Sequence, residues 1–476
     1  MESYHRVGFS GAAIPQLLFP LQKGSTSMRS PLDRRRFLTT AASASTGALW
    51  TTPRGTAAEH QKPALLGGEP IRREPFPSWP RVEPLDERGL LEVLHSGRWY
   101  RGTGQKVDRF EAEFARLTGS RHCVATANGT SALLTSLAAL GIEPGDEVIV
   151  PPYTFIATVN AVMLQYALPI FVDTDPETFQ IDHRKLESAI TERTAAILPV
   201  HLGGNVAHMD AILKIARRRN IPVIEDACQA HLAEWRGQKV GTLGATGCFS
   251  FQVTKNLSSG EGGAVLTQDD DLAERCFAFH NNNRRRAGAS GGYSFATLGS
   301  RGANLRLTEF QGGLLLSQMS RLAEQSHTRE QNAQYLARLL AEIPGIAPAK
   351  QYDGCTRNAY HLFMFRYDAE AFGGLPRARF LEALRAEGVP CSPGYTPLNR
   401  EAFLAAALGS RGFQRIFPRE ILEGYQERNQ CPVNDRLCQE AVWFTQNMLL
   451  GPRGDMEQIA AAVRKIQANA PALARA

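Results

Sequence analysis

Phe249-Ser250-Phe251-Gln252-Val253-Thr254-Lys255-Asn256-Leu257, followed by Gly260-Glu261-Gly262-Gly263, is the stretch on which the reading of the fold turns. An apolar, strand-like run ends in a lysine, and the glycines after it let the chain turn tightly and approach a ligand closely. A lysine directly after a buried strand sits in partly apolar surroundings. Desolvation and a neighbouring cation-like ring lower its pKa, as an imine-forming lysine requires. Ser250 and Thr254 have hydroxyls to donate to a phosphate. Taken alone, such a lysine is more often a surface residue, so its meaning depends on what precedes it.

Upstream, Ile224-Glu225-Asp226-Ala227-Cys228-Gln229-Ala230-His231 is an apolar strand ending in carboxylates. An acid at a strand's carboxyl end lies where α/β proteins build their sites, and it can pair with a protonated ring nitrogen. A helix cap or a surface loop acid is the plainer reading. Further upstream, Ala125-Thr126-Ala127-Asn128-Gly129-Thr130-Ser131-Ala132-Leu133 has a strand, a turn and a helix start. Free N–H groups and the positive dipole end make such a start a phosphate cup, although a plain N-cap explains it equally well.

Around these segments strand and helix signals alternate. Strand-like runs are expected at 122–125, 147–150, 170–172, 195–200, 222–224, 248–251 and 264–267. Helical spacing marks 84–95, 105–117, 131–140, 209–218 and a long run from Thr308. Alternation of this kind implies a mainly parallel, seven-stranded sheet with helices on both faces. The expected organisation is a leader over 1–60, a large α/β domain over 61–330 and a smaller C-terminal α+β domain over 331–476.

The chain has 476 residues, 43% hydrophobic and 21% charged, the composition of a globular protein with a sizeable core. Its net charge of +6 is not gathered into one long basic run, which speaks for anionic small ligands and against nucleic acid. None of the eight cysteines forms a CxxC pair or a zinc-spaced cluster, so no metal is expected. No apolar run is long enough for a membrane span. The first 60 residues read as an address: Asp33-Arg34-Arg35-Arg36-Phe37-Leu38 resembles the twin-arginine export signal, followed by a small-residue tract to Leu49. The expected location is therefore periplasmic or exported; a disordered basic tail on a cytoplasmic protein is the alternative.

The ordered set of phosphate cup, strand-end acid and lysine after a later strand resembles the fold-type-I enzymes of pyridoxal 5′-phosphate. The wording is similar to the DegT/DnrJ/StrS family of sugar aminotransferases in three further segments. These are Pro151-Pro152-Tyr153-Thr154-Phe155-Ile156-Ala157-Thr158, Pro199-Val200-His201-Leu202-Gly203-Gly204 and Asn304-Leu305-Arg306-Leu307-Thr308-Glu309. The resemblance covers roughly residues 65–465. It implies that Lys255 carries the cofactor as an internal aldimine and moves the substrate proton. It also implies that Asp226 pairs with the pyridine nitrogen, Gln229 lies near the phenolic oxygen and Phe155 stacks on the ring. Asn128, Gly129, Thr130 and Ser250 would hold the phosphate. A homodimer with shared sites is implied, with Asn281 as the residue reaching the partner's phosphate.

The implied reaction moves an amino group from glutamate or glutamine to a keto-sugar, either a nucleotide sugar or a cyclitol. Ala371-Phe372-Gly373-Gly374 is similar to the branch acting on scyllo-inosose. Two alternatives stand beside it: a sugar dehydratase or aminohydroxybenzoate-synthase-like enzyme, and a non-catalytic exported binding protein on the same scaffold. The chain departs from the family pattern at Asn128 (commonly Ser), at Leu232 (commonly Gly) and at Leu305 (commonly aromatic). His201 reads equally as a substrate contact or a packed histidine. Trp99-Tyr100-Arg101 reads as an anchor for the opening helix or as an entrance lining.

Overall fold

Short runs of wholly buried residues build the centre of the molecule, seen here in a computed structural model that describes residues 61–286 and 301–476. The leader with its arginine pair lies outside the described residues. The strands are β1 (His122–Thr126), β2 (Glu147–Val150), β3 (Leu168–Phe171), β4 (Thr194–Ile197), β5 (Ile224–Asp226), β6 (Thr246–Ser250) and β7 (Gly263–Thr267). They form two ladders, ordered β3-β2-β4 and β5-β6-β7-β1. Parallel bridges Ile197–Val223 and Val200–Asp226 join β4 to β5, making one seven-stranded sheet. Only β7 runs against its neighbours, antiparallel to both β1 and β6. Buried on both faces, these strands are near-continuous apolar runs, as a parallel sheet covered by helices requires.

The strand expected at 222–224 lies two residues later. Pro222 has no N–H for a ladder and contributes only its carbonyl, to Ile197 N at 3.0 Å, whereas Ile224 to Asp226 pair with Thr246 to Cys248. Helices α1 (Pro84–Ser96), α2 (Lys106–Thr118), α3 (Gly129–Ala139) and α5 (Met209–Arg219) match the helical spacing, whereas α4 (Ala157–Leu164) and α6 (Asp270–His280) are helices that the spacing did not single out. The long helix expected from Thr308 is two helices, α7 (Glu309–Met319) and α8 (Leu322–Ala341). The break falls at Ser320-Arg321, where the Arg321 guanidinium is drawn aside to Asp86 Oδ2 at 2.5 Å and to the Arg81 carbonyl at 2.9 Å.

Beyond α8, strands β8 (Ile346–Pro348), β9 (Leu362–Tyr367) and β10 (Ala441–Thr445) form a separate antiparallel sheet. Helices α9 (Arg377–Ala386) and α10 (Arg453–Ala468) supply buried residues to the same core. The apolar side chains gather into two clusters, and α8 runs across residue 330 to serve both. Its Leu322 joins the first and its Ala333, Leu336 and Leu340 join the second. Among the described residues no helix is long and apolar enough to cross a membrane, no group of residues has the makings of a metal site, and all eight cysteines are free.

The segment before α1 is tied to this second core. Glu387 and Lys465 form a fully buried ion pair at 2.9 Å, and the two carboxylate oxygens also accept from Ala64 N and Ile71 N, each at 2.9 Å. Removing one partner of such a pair leaves an uncompensated buried charge, which costs ~3–5 kcal/mol. Glu387→Ala should therefore lower the unfolding free energy by about that amount in urea titrations. A loss below about 1 kcal/mol would contradict the role given to the pair.

Candidate active site

Side chains alternate along β6, so Phe249 and Phe251 point one way and Ser250 the other. Phe249 meets Phe114 edge-on at 5.2 Å, and Phe251 meets Phe110 edge-on at 5.3 Å. This packing fixes the strand from which the lysine loop departs. The loop then folds on itself: Lys255 N donates to Gln252 O at 2.8 Å and Ser259 N to Phe251 O at 2.9 Å. Lys255 emerges half-buried, and its ammonium has no hydrogen-bond or ion-pair partner among the described residues. Burial holds its pKa below the ordinary lysine value, against the opposing pull of Cys228 and Asp226. Thr254, expected as a phosphate donor, instead gives its hydroxyl to Gln252 Oε1 at 2.7 Å and lies exposed.

The same alternation divides the acids of β5. Asp226 Oδ2 accepts from Thr158 Oγ1 at 2.9 Å, and Oδ1 accepts from Cys228 N at 3.2 Å. Each oxygen keeps a further lone pair for a ligand. Thr158 is itself steadied by Thr154, with the hydroxyls 3.0 Å apart, so the Tyr153–Thr158 segment is latched to the acid. Glu225 is fully buried; it accepts from Gly241 N at 2.8 Å and from Leu243 N and Gly244 N at 2.7 Å. His201 completes its shell at 3.0 Å. Because His201 Nδ1 accepts from Ala207 N at 3.2 Å, the proton sits on Nε2 and faces Glu225. His201 is thus a packed histidine, not a ligand contact.

The strand, turn and helix start at 125–133 form as the sequence suggested. Asn128 caps α3, its Oδ1 accepting from Ser131 N at 2.8 Å, while first-turn N–H groups such as those of Gly129 and Thr130 have no intrahelical acceptor. A Cβ on Gly129 would lie 2.7 Å from Ser250 Cβ and 3.1 Å from Cys228 Sγ. Only glycine lets the helix start meet β6 this closely, which brings Asn128, Gly129, Thr130 and Ser250 to one place.

Gln229 is held at both ends of its amide. Its Oε1 accepts from Gly203 N at 2.7 Å and its Nε2 donates to the Tyr395 hydroxyl at 3.1 Å, leaving one N–H free. Leu232, where the family pattern has glycine, keeps the left-handed backbone with φ of +64°. That is a conformation a bulky non-glycine residue adopts only under strain. Phe155, in the segment latched to Asp226, is 54% exposed, a ring face without an aromatic partner among the described residues. Asn281 Oδ1 accepts from Arg306 NH1 at 3.1 Å, and Arg306 in turn bridges to Thr126, two residues before Asn128. Arg101 is a buried anchor paired to Glu111 at 2.9 Å, whereas Trp99 and Tyr100 expose about half their surface. Ala371-Phe372-Gly373-Gly374 closes a turn in the second core.

Several groups escape the sequence reading. Tyr395 packs edge-on against Tyr153 at 5.5 Å and Trp443 at 4.5 Å, and burial pushes its hydroxyl up to about 12. His231 and His361 are buried within electrostatic reach of Lys255; burial and then the lysine charge hold both neutral, His231 near about 3. Both ring nitrogens of His231 lack partners among the described residues.

An unpaired half-buried amine, a hydrogen-bonded carboxylate and a helix start pressed against a serine suit a ligand carrying an aldehyde, a basic ring nitrogen and a phosphate. The comparisons with known proteins agree. Residues 83–412 match the DegT/DnrJ/EryC1/StrS aminotransferase family. The chain is 39% identical over 419 residues to an L-glutamine:2-deoxy-scyllo-inosose aminotransferase of Streptoalloteichus tenebrarius, covering 85% of this chain and 97% of that one. A namesake from Micromonospora echinospora is also 39% identical, covering 85% and 98%. Among solved structures, 3-amino-5-hydroxybenzoic acid synthase superposes with a TM-score of 0.73 at 34% identity, over 85% of this chain and all of that one. An aminotransferase from Psychrobacter cryohalolentis gives 0.73 at 30%, covering 83% and 99%.

The lowered pKa of Lys255 has a direct consequence. Its amine loses its proton at lower pH than the ~10.4 of a free lysine side chain. Reductive methylation of the protein without added ligand, read by peptide mass spectrometry, should reach half-maximal rate at Lys255 below that pH. A midpoint at or above it would contradict the placement.

Proposed function

This chain belongs to the DegT/DnrJ/EryC1/StrS aminotransferase family, and on that footing we propose that it is a pyridoxal 5′-phosphate-dependent transaminase moving the amino group of glutamine onto a keto-cyclitol. The observation that carries the reading is the unpaired, half-buried Lys255 beside the fixed carboxylate of Asp226. When bound, the cofactor supplies an aldehyde and an electron-accepting ring. Asn128, Gly129, Thr130 and Ser250 would hold its phosphate, Asp226 its ring nitrogen, the free N–H of Gln229 its phenolic oxygen and Phe155 its face.

The chain's own chemistry then follows. Lys255 Nζ, with its pKa lowered, is available as the base that takes the proton from the substrate carbon and returns it. Asp226 is kept in place by Thr158 and the Cys228 N–H, so its charge faces the ring nitrogen without reorganisation. The named donors and acceptors of the relatives favour glutamine over glutamate, and a keto-cyclitol over a nucleotide sugar. The likeness to 3-amino-5-hydroxybenzoic acid synthase supports a second reading, an enzyme of the aminohydroxybenzoate-synthase kind on the same site. The products separate the two by mass.

We also propose a homodimer, in which the exposed Leu85, Leu91 and Leu94 of α1 contribute to the interface and Asn281 serves the neighbouring site. For the leader, the Arg34-Arg35 pair supports export by the twin-arginine route.

Three outcomes are expected. Lys255→Ala should abolish transamination of scyllo-inosose by L-glutamine; turnover persisting in that variant would refute the assignment. Asp226→Asn should slow the single-turnover glutamine half-reaction by ~100-fold or more, since general acid–base catalysis of that size depends on the charged ring; an unchanged rate would remove the role. A reporter fused after residue 60 should leave the cytoplasm, and Arg34→Lys with Arg35→Lys should stop it; export surviving the double change would refute the signal.

A further inference from the structure

A long side chain such as Gln229 swings about any single contact, so whatever fixes its amide plane decides where its unspent N–H points. One anchor is Gly203 N, which donates to Oε1 at 2.7 Å. A backbone N–H can only donate, so this contact settles which end of the amide is oxygen. The second anchor is the Tyr395 hydroxyl, which accepts from Nε2 at 3.1 Å. Two contacts fix the plane. The other hydrogen of Nε2 then lies in that plane and is spent on nothing among the described residues.

Tyr395 is itself held on every side. Its segment runs beside β10, where Ser392 N donates to Trp443 O at 3.1 Å and Trp443 N to Ser392 O at 3.0 Å. Arg377 NH1 contacts three carbonyls, Pro393 at 2.9 Å and Cys438 and Ala441 at 2.8 Å, which clamps the segment to the start of the same strand. At Gly394, with φ of +85°, a Cβ would lie 2.5 Å from the Tyr153 hydroxyl oxygen, so only glycine lets the turn close onto Tyr153. The Tyr395 ring then stands edge-on to Tyr153 and Trp443, and Trp443 Nε1 donates to the Tyr153 hydroxyl at 3.1 Å. Tyr153 opens the segment that Thr158 latches to Asp226. Burial first, and then the Asp226 charge, keep the Tyr395 hydroxyl protonated, so it stays a neutral acceptor for the Gln229 amide.

We propose that Tyr395 is a positioning residue for the cofactor's phenolic oxygen: by taking one Nε2 hydrogen of Gln229 it aims the other at that oxygen, and so makes the lysine–cofactor linkage easier to deprotonate. This rests on the reading of the chain as a pyridoxal 5′-phosphate enzyme with Gln229 at the phenolic oxygen. A donor fixed on an anionic oxygen favours the bare anion over the form in which that oxygen shares a proton with the linkage nitrogen. The midpoint pH for loss of the shared proton is therefore lower with the donor aimed than without it. Tyr395 belongs to the C-terminal part of the chain, which thus reaches the chemistry on the main sheet through one hydroxyl.

The test is a spectrophotometric pH titration of the cofactor-loaded full chain, followed at the visible band of the lysine-joined cofactor. Wild type, Tyr395→Phe, Gln229→Ala and the double variant are compared. Phenylalanine keeps the ring against Tyr153 and Trp443 and removes only the hydroxyl. Tyr395→Phe should raise the midpoint by ~0.4–1 pH unit, the size of one hydrogen bond, and Gln229→Ala by at least as much. In the Gln229→Ala background, Tyr395→Phe should add less than ~0.2 pH unit, because the hydroxyl acts through that amide. An unmoved midpoint in Tyr395→Phe, or a shift of the same size with and without Gln229, would overturn the proposal. A chain that forms no visible band with pyridoxal 5′-phosphate at any pH would refute the transaminase reading and the proposal together, whereas a band with an unmoved midpoint refutes the proposal alone.

Discussion

Glu225 is fully buried and gathers four donors: the N–H groups of Gly241, Leu243 and Gly244, and the ring of His201. Those donors come from the segment after β4 and from the connection leading into β6, so one carboxylate locks β4, β5 and β6 in register. A buried charge is tolerated only when it is hydrogen-bonded to this extent. Because side chains alternate on a strand, fixing Glu225 on one face fixes Asp226 on the other. The acid proposed to meet the cofactor ring thus depends on an acid that is itself walled in.

The remaining site geometry follows from this lock and from the aromatic packing of β6. Phe249 and Phe251 pack against Phe114 and Phe110, which turns Ser250 toward the start of α3. Glycine at 129 lets the helix start close onto that serine. The tight turn after Phe251 then presents Lys255 next to Cys228 and Asp226, half-buried and without a hydrogen-bond partner among the described residues. An amine in that condition is costly for stability and useful for chemistry, the pattern expected where function overrides local optimisation.

Much of this was legible in the sequence because it is local. The strand-turn-helix at 125–133, the strand-end acid and the lysine after a strand are each contiguous, and their order along the chain carried the fold. The antiparallel sense of β7 was not legible, since its apolar run reads like that of a parallel strand. The break between α7 and α8 was missed because nothing at Ser320-Arg321 signals an end; the Arg321 side chain there pairs with Asp86, more than 200 positions away. Tyr395, Trp443 and His361 were also invisible as site residues, because what brings them to Gln229, Tyr153 and Asn256 is tertiary packing across 100 or more positions of sequence. His201 belongs to a segment that resembles the family and was read as a possible contact, yet its proton faces Glu225. A motif locates a residue without saying which way its side chain points.

The central claim is that Lys255 is the residue to which the cofactor is joined. Its most direct test is to load the protein with pyridoxal 5′-phosphate, reduce it with borohydride and map the modified peptide by mass spectrometry. The account predicts one stoichiometric label, on Lys255. A label on any other lysine, or a Lys255 peptide recovered unmodified from protein that has bound the cofactor, would contradict it.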